Sequence, residues 1–304
     1  MRALLICSPS AGNDGPSQDD LLSIFRQEGI DPSCCLITEG NLSDALQTPT
    51  DVIVAVGGDG TVTSILTEMP GRGIPVAVVP QGTANNIARS LGIYASPHQI
   101  AAGLRHARPM AVDIGVATGS WGKRRFVEGV GLGLLVQAMA EIDAAGIAGD
   151  DQLWSCRAEF GAKLVEEECH RFDVSVDGRD LSGDFLIFEI MNIGYVGPVL
   201  PLAPQADPGD GWLDVVYSTA NRRGEMLQWL SAGPEGLDPP VETARGRKIE
   251  IAEAGAALRL GDNFSPAPGN AGRLVIELEP EQATILVPST ISSTRGGTSG
   301  NPLF

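Results

Sequence analysis

The sequence predicts a two-domain α/β protein, a parallel sheet first and antiparallel strands after it. Three observations predict it. Residues 52–56 and 74–79 are short β-branched runs with little alternation, each ending in a turn that opens into a helical pattern. Such runs suit strands buried on both faces of a parallel sheet. Strand and helix patterns alternate up to about residue 110, which implies right-handed crossovers. From Pro109 the pattern changes to paired strands around short turns. A chain of 304 residues has room for two cores. We place the domains at 1–110 and 111–288, with a Ser/Thr/Gly-rich tail, 289–304, that reads as disordered.

Taken in order, residues 2–7 read as the first buried strand, followed by the turn Ser8-Pro9-Ser10-Ala11-Gly12. Residues 19–27 suit an amphipathic helix, with Leu21, Leu22, Ile24 and Phe25 apolar and Gly29 as its stop. A strand at 33–38 and a short helix at 44–47, capped by Ser43, precede the two apolar runs. In the helices after those runs, Ile65, Leu66, Ile87, Ala88 and Leu91 read as core, and Asn86 as a solvated first-turn residue. Residues 98–108 form another helix. His98 and His106 read as surface residues.

Two strands at 111–117 and 125–130 flank the turn Gly119-Ser120-Trp121-Gly122. Residues 134–169 read as helical with an Ala/Gly-rich break, and Glu166-Glu167-Glu168 as a solvated face. The Asp177-Gly178 turn marks a hairpin between strands at 172–176 and 185–192. A short helix within 221–236 precedes late strands at 245–252 and 256–260. The runs 274–278 and 283–287 are expected to finish the second domain's sheet.

Bulk properties exclude several classes. No apolar run approaches the ~20 residues of a membrane span. Net charge is −17, which argues against nucleic-acid binding. Five cysteines, with no Cys-x-x-Cys, favour free thiols in a reducing cytoplasm.

The chemistry concentrates in two turns, Gly57-Gly58-Asp59-Gly60-Thr61 and Pro80-Gln81-Gly82-Thr83-Ala84-Asn85. A strand, a Gly-rich turn and a helix together expose unpaired N–H groups at a positively polarised helix end, which attracts phosphate. Asp59 would repel bare phosphate. It makes sense if Mg²⁺ lies between them, since that ion takes one or two carboxylates plus phosphate oxygens.

The two turns in this order resemble the nucleotide-binding signature of the diacylglycerol kinase catalytic domain, in a superfamily that also holds sphingosine, ceramide and NAD kinases. The resemblance implies a Rossmann-like first domain, a mainly antiparallel β-sandwich second domain, and transfer of the ATP γ-phosphoryl group to a lipid hydroxyl. It implies that Gly57, Gly58, Gly60 and Thr61 hold the triphosphate, that Asp59 addresses Mg²⁺, and that Gly82, Thr83 and Asn85 fix phosphate and nucleoside. Ser8-Pro9-Ser10 matches in part a further phosphate-facing turn. Asp113 and Gly115 match an Asp-x-Gly motif, and Glu128 stands where the family has Asn.

Asp207 and Asp210 fall where bacterial members hold a structural metal; a pair of capping carboxylates in an Asp-Gly turn is the alternative. Gly261-Asp262-Asn263 stands in place of Asp-Gly-Glu, so Asp262 is the carboxylate left to accept the hydroxyl proton. The resemblance further implies a lipid partner at a membrane surface, reached by a cytoplasmic, peripherally bound protein, and a homodimer. An acidic chain repels an anionic membrane at long range, so a lipid substrate calls for a local basic or apolar rim. Two alternatives stay open: a kinase with a soluble acceptor, and a non-catalytic nucleotide-binding regulator lacking Asp-Gly-Glu.

Overall fold

A computed structural model describes residues 1–8, 15–37, 41–233, 237–252, 257–261, 263–265 and 272–288. The expected turn residues Pro9 to Gly12, the expected base Asp262 and the tail 289–304 lie outside the described residues.

The first domain has strands β1 (Arg2–Cys7), β2 (Asp31–Leu36), β3 (Val52–Gly57), β4 (Val76–Pro80) and β5 (Arg108–Val112). Helices α1 (Gln18–Gln27), α2 (Leu42–Ala45), α3 (Asp59–Leu66), α4 (Asn86–Ser90) and α5 (Pro97–Gly103) connect them. Ser17 starts α1 with a capping box and Ser96 starts α5 the same way. Each hydroxyl takes a backbone N–H that the helix cannot satisfy itself. The short helix α2 begins after Asn41, two residues before the expected Ser43 cap. β3 is buried along its whole length, as a central parallel strand with helices on both faces must be.

The second domain runs through β6 (Gly115–Gly119), β7 (Gly122–Phe126), β8 (Gly129–Gly133), α6 (Leu134–Ala144), α7 (Asp150–Glu166), β9 (His170–Phe172), β10 (Val174–Val176) and β11 (Arg179–Asp180). It continues with β12 (Gly183–Met191), β13 (Leu213–Thr219), α8 (Arg223–Ala232), β14 (Glu242–Gly246), β15 (Lys248–Ala252), β16 (Leu258–Leu260), β17 (Asn263–Ser265) and β18 (Arg273–Leu278). Two antiparallel sheets result, ordered β11-β10-β15-β18-β6-β7 and β14-β13-β12-β8-β16-β17. Phe126, Phe172, Phe185, Phe188 and Ile276 pack in one core drawn from both sheets.

The last strand, β19 (Ala283–Val287), corrects the expected domain boundary. It does not close the sandwich. It returns to the first sheet, ordered β2-β1-β3-β4-β19-β5, parallel to β4 and antiparallel to β5. The first domain therefore comprises the first 112 residues and 283–287. An apolar strand needs an open edge, and a run of alternating apolar residues does not reveal which of two sheets supplies it.

Asp113 sits at this crossover. It is 3% exposed. Its carboxylate accepts from Gly211 N–H (2.8 Å) and from Gln282 Nε2 (2.8 Å), just ahead of β19. Gly115 completes the motif, because a Cβ there would come within 2.1 Å of the Phe126 ring.

Candidate active site

β3 ends at Gly57, and α3 starts at Asp59 with Gly58 as its N-cap. No side chain caps it. The first N–H groups of α3 are thus left to a ligand or water. The second turn leaves β4 at Pro80 and enters α4 through Asn85. The two turns touch. A Cβ on Gly82 would lie 2.5 Å from Gly58 Cα, and one on Gly57 would lie 2.5 Å from Thr61 Oγ1. Gln81 N–H donates to Gly57 carbonyl at 2.9 Å.

Asp59 carries the main link between the turns. It is 8% exposed. Oδ2 accepts from Asn86 N–H (2.8 Å) and Oδ1 from Ile87 N–H (2.9 Å), the first two donors of α4. Asn85 is turned inward as well. Its Oδ1 accepts from Gly82 N–H and its Nδ2 donates to Gly82 carbonyl, while its backbone takes the left-handed region at φ 51°. Asn tolerates that region better than most residues. The amide expected to meet nucleotide therefore shapes the turn. Arg89 braces the same turn by donating from Nε to Ala84 carbonyl (2.7 Å).

The turns open on a cleft of about 430 Å³. Gly57, Gly58, Asp59, Gly60, Thr61, Gly82 and Thr83 line one side, with Ser8 beside them. Met139 and Asp143 of α6, Gln152 and Cys156 of α7, and Phe264 line the other. Burial pushes the Cys156 thiol up to about 11, so it stays protonated at neutral pH.

The sequence reading missed Gln81. Its carboxamide is buried in this cleft, and neither Nε2 nor Oε1 has a hydrogen-bond partner among the described residues. A buried amide left without partners is costly, so it suits a polar ligand in the cleft. Gln81 sits at the variable position of Pro80-x-Gly82, which is why the motif did not single it out.

Asn86 overturns its expected solvated role. It is 2% exposed and donates from Nδ2 to Gly197 carbonyl in the second domain (3.1 Å). Ser90 Oγ accepts from Gly194 N–H (3.1 Å). Arg157 donates to the carbonyls of Pro198 and Val199. These bonds draw the loop after β12 against α4 and α7, which holds α6 and α7 over the turns.

Residues 2–117 match the family model of the diacylglycerol kinase catalytic domain. Residues 147–287 match that of the YegS C-terminal NAD kinase beta sandwich-like domain. The chain thus joins a diacylglycerol kinase catalytic domain to a YegS-type C-terminal domain. A Stenotrophomonas maltophilia protein named "Probable lipid kinase YegS-like" is 28% identical over 94% of this chain and 96% of its own. A Mycobacterium tuberculosis protein named "Diacylglycerol kinase" is 25% identical over 78% of this chain and 79% of its own. In fold, the chain resembles the crystal structure of a diacylglycerol kinase from Bacillus anthracis, with TM-score 0.67, 19% identity, and 95% and 98% of the two chains covered. It also resembles an NAD kinase from Archaeoglobus fulgidus in complex with ATP, with TM-score 0.52, 14% identity, and 96% and 95% covered. Both likenesses bear out the expected parallel-sheet domain and antiparallel sandwich.

The family's structural cation has a rival in this chain. Asp210 Oδ1 accepts from Trp212 N–H (3.0 Å), and Oδ2 is ion-paired with Arg245. Arg245 also approaches Asp214 at 3.4 Å and lies over the Trp212 ring at 5.6 Å. Asp207 Oδ1 accepts from Gly209 N–H (3.1 Å). Among the described residues, no group of three or more His, Cys, Asp or Glu gathers to hold a metal. Turn N–H groups and a guanidinium thus compete with a cation for the carboxylates at 207 and 210. Arg245→Ala is expected to cost about 1 kcal/mol, as an exposed network does, and to lower Tm by a few degrees. A chelator should leave the wild-type Tm unchanged. Melting curves check both, and a chelator effect larger than that of the substitution would restore the cation.

Gly82→Ala tests the contact between the turns. Its Cβ must displace backbone, so we expect a loss of about 1–3 kcal/mol and at least a tenfold weaker ATP Kd. Calorimetric titration would decide: unchanged affinity would mean that the turns need not touch.

Proposed function

We propose that this protein is an ATP-dependent lipid kinase, transferring the γ-phosphoryl group to a hydroxyl of diacylglycerol or a related lipid. The observation that carries this reading is the pair of interlocked turns, which present an uncapped helix end and the unpartnered Gln81 amide to one 430 Å³ cleft. Phosphoryl transfer needs positioning and charge stabilisation more than covalent help. The N–H groups at the start of α3 would hold phosphate, with Thr61 and Thr83 beside them. Mg²⁺ supplies charge neutralisation when bound. Asp59 and, across the cleft, Asp143 are the carboxylates that would face it, directly or through water. Asp262 would take the proton from the acceptor hydroxyl as its oxygen bonds to γ-phosphorus and ADP leaves. The protein would meet its lipid peripherally, from the cytoplasm. Among the described residues no helix is long and apolar enough to cross a membrane.

The test is transfer of labelled γ-phosphate to a mixed lipid extract with Mg²⁺, by wild type and by Asp262→Asn. Label on a lipid, lost in the variant, supports both the reaction and the base. Label kept in Asp262→Asn would remove that residue from the chemistry. Gly261-Asp262-Asn263 in place of Asp-Gly-Glu favours a second reading, a nucleotide-binding regulator. It predicts ATP binding with no labelled lipid.

A further inference from the structure

β1 and β2 each bring a thiol to the same face of the first sheet. Cys34 stands opposite Leu5 in the parallel register, and Cys7 stands opposite Leu36. Leu5 and Cys7, two residues apart, share a face, so the two cysteines are diagonal neighbours. Both pack into the core that holds Leu21 and Phe25 of α1. Their sulfurs lie 3.3 Å apart. Cys35 packs into the opposite core and donates to Leu36 carbonyl at 3.6 Å.

The two thiols are unequal. Cys7 is 1% exposed, while Cys34 is half-buried on β2, an edge strand of the sheet. Burial disfavours a charged sulfur, so Cys7 keeps its proton and donates it toward Cys34 Sγ. That bond holds the Cys34 thiol below its ordinary value. The more acidic and more accessible sulfur is the one an oxidant meets first. A core thiol packs as a small apolar group, and packing alone does not call for two that face each other across strands.

Cys7 is also the last residue of β1, and its neighbour on the other side is Val56 of β3. The next residue, Ser8, donates its N–H to Val56 carbonyl (3.0 Å) and lines the nucleotide cleft. Val56 leads into Gly57 and Gly58, from which α3 starts. A movement of Cys7 toward β2 therefore draws the end of β1 away from the phosphate-facing turn.

We propose that Cys7 and Cys34 are an oxidisable pair that closes to a disulfide under peroxide, and that closure loosens the nucleotide cleft. Cys34 thiolate attacks one peroxide oxygen, the O–O bond breaks, and hydroxide leaves to take up the proton that Cys34 lost. Cys7 sulfur then attacks the sulfenic sulfur. The S–O bond breaks, and water leaves with the Cys7 proton. Two thiols are oxidised by two electrons in all, and one peroxide becomes two waters. A disulfide holds its sulfurs about 2.05 Å apart, so closure moves them by more than an ångström. A reducing compartment reopens the bond, as it does for cytosolic disulfides that sense oxidants. The consequence for the cleft rests on the nucleotide-binding reading; the bond itself does not.

The experiment treats the full chain with hydrogen peroxide and then with dithiothreitol, alongside Cys34→Ser. Cys34 does not line the nucleotide cleft, so this variant should bind ATP like untreated wild type. Peptide mapping without reductant should find Cys7 linked to Cys34 within one chain, and the intact mass should fall by two hydrogens. Calorimetric titration should give an ATP Kd at least about tenfold weaker in the oxidised protein. Dithiothreitol should restore it, and peroxide should leave Cys34→Ser unchanged. Cys34 stopped at the sulfenic or sulfinic acid, with Cys7 still open to alkylation, would overturn the pair. So would a bond to Cys35 or between two chains. A Cys7–Cys34 bond that leaves the Kd unchanged would overturn its hold on the cleft. Equal weakening of Cys34→Ser by peroxide would assign the effect to Cys156, which lines the cleft, and would also overturn the switch. If reduced wild type binds no ATP, the nucleotide reading fails, and peptide mapping alone decides whether the pair closes.

Discussion

Asp59→Ala is expected to lose about 3 kcal/mol of stability together with all phosphoryl transfer. The wild-type carboxylate accepts from the N–H groups of Asn86 and Ile87 at 2.8 and 2.9 Å. A hydrogen bond to a charged acceptor contributes about 1.5–3 kcal/mol, and a buried donor left alone costs its desolvation. Both donors stand at the start of α4, a helix of five residues that has no side-chain cap from Asn85. Its first N–H groups therefore depend on Asp59 for both partner and charge. Asp59→Asn separates this role from that of a cation ligand. An amide offers one oxygen to two donors and turns its own NH₂ toward the other. If Asp59 locks the turns, denaturant unfolding of Asp59→Asn should lie between wild type and Asp59→Ala. Were its carboxylate needed for Mg²⁺ alone, Asp59→Asn would unfold like wild type while losing turnover.

That double duty shows what the sequence made legible. The strand, turn and helix pattern placed Gly57, Asp59, Gly82 and Asn85 in two turns, because glycine and asparagine have local reasons to sit there. What each side chain touches depends on the partner turn, more than 20 residues away, and local pattern carries nothing about it. Asn85, expected to meet nucleotide, is found bonded through its amide to Gly82. Asn86, expected in solvent, bonds Gly197, distant by 111 positions. Gln81 was invisible because a motif's variable position carries no signal. β19 was legible as a strand and illegible as a member of the first sheet. The far wall of the nucleotide cleft, from Met139 to Cys156, read only as a helical stretch, since helical periodicity reports an apolar face without naming what it covers.

Arg259 gives the second large effect. It is 1% exposed, and the sequence offered no sign of its importance beyond its place in a late strand. Nη2 donates to Glu189 Oε2 at 2.8 Å, Nη1 to Gly261 carbonyl at 2.8 Å, and Glu128 lies 3.8 Å away. The strand between them contributes Gly131, which pairs with Glu189 on one side and Arg259 on the other. A Cβ there would strike Glu189 Oε2 at 2.4 Å, so the glycine lets the ion pair cross the strand. Arg259→Met should cost about 3–5 kcal/mol, because it leaves a buried carboxylate without its counter-charge. Arg259→Met/Glu189→Met should recover much of that loss, since two apolar groups need no partner.

The pH dependence follows from Glu189. Burial pushes its carboxyl up from the ordinary value, with Arg259 opposing. A folded pKa above the unfolded one favours the protonated form on folding. Its stability contribution is complete below the unfolded value and falls by about 1.4 kcal/mol per pH unit up to the folded value. Removing Arg259 raises the folded value further, so Arg259→Met should fall further behind wild type at pH 8 than at pH 5. Urea unfolding of the three proteins at both pH values checks this. A double variant as unstable as the single one would mean that Arg259 stabilises by packing and by its bond to Gly261 rather than by neutralising Glu189. In that case the turn leading into Asp262 would be what the arginine holds.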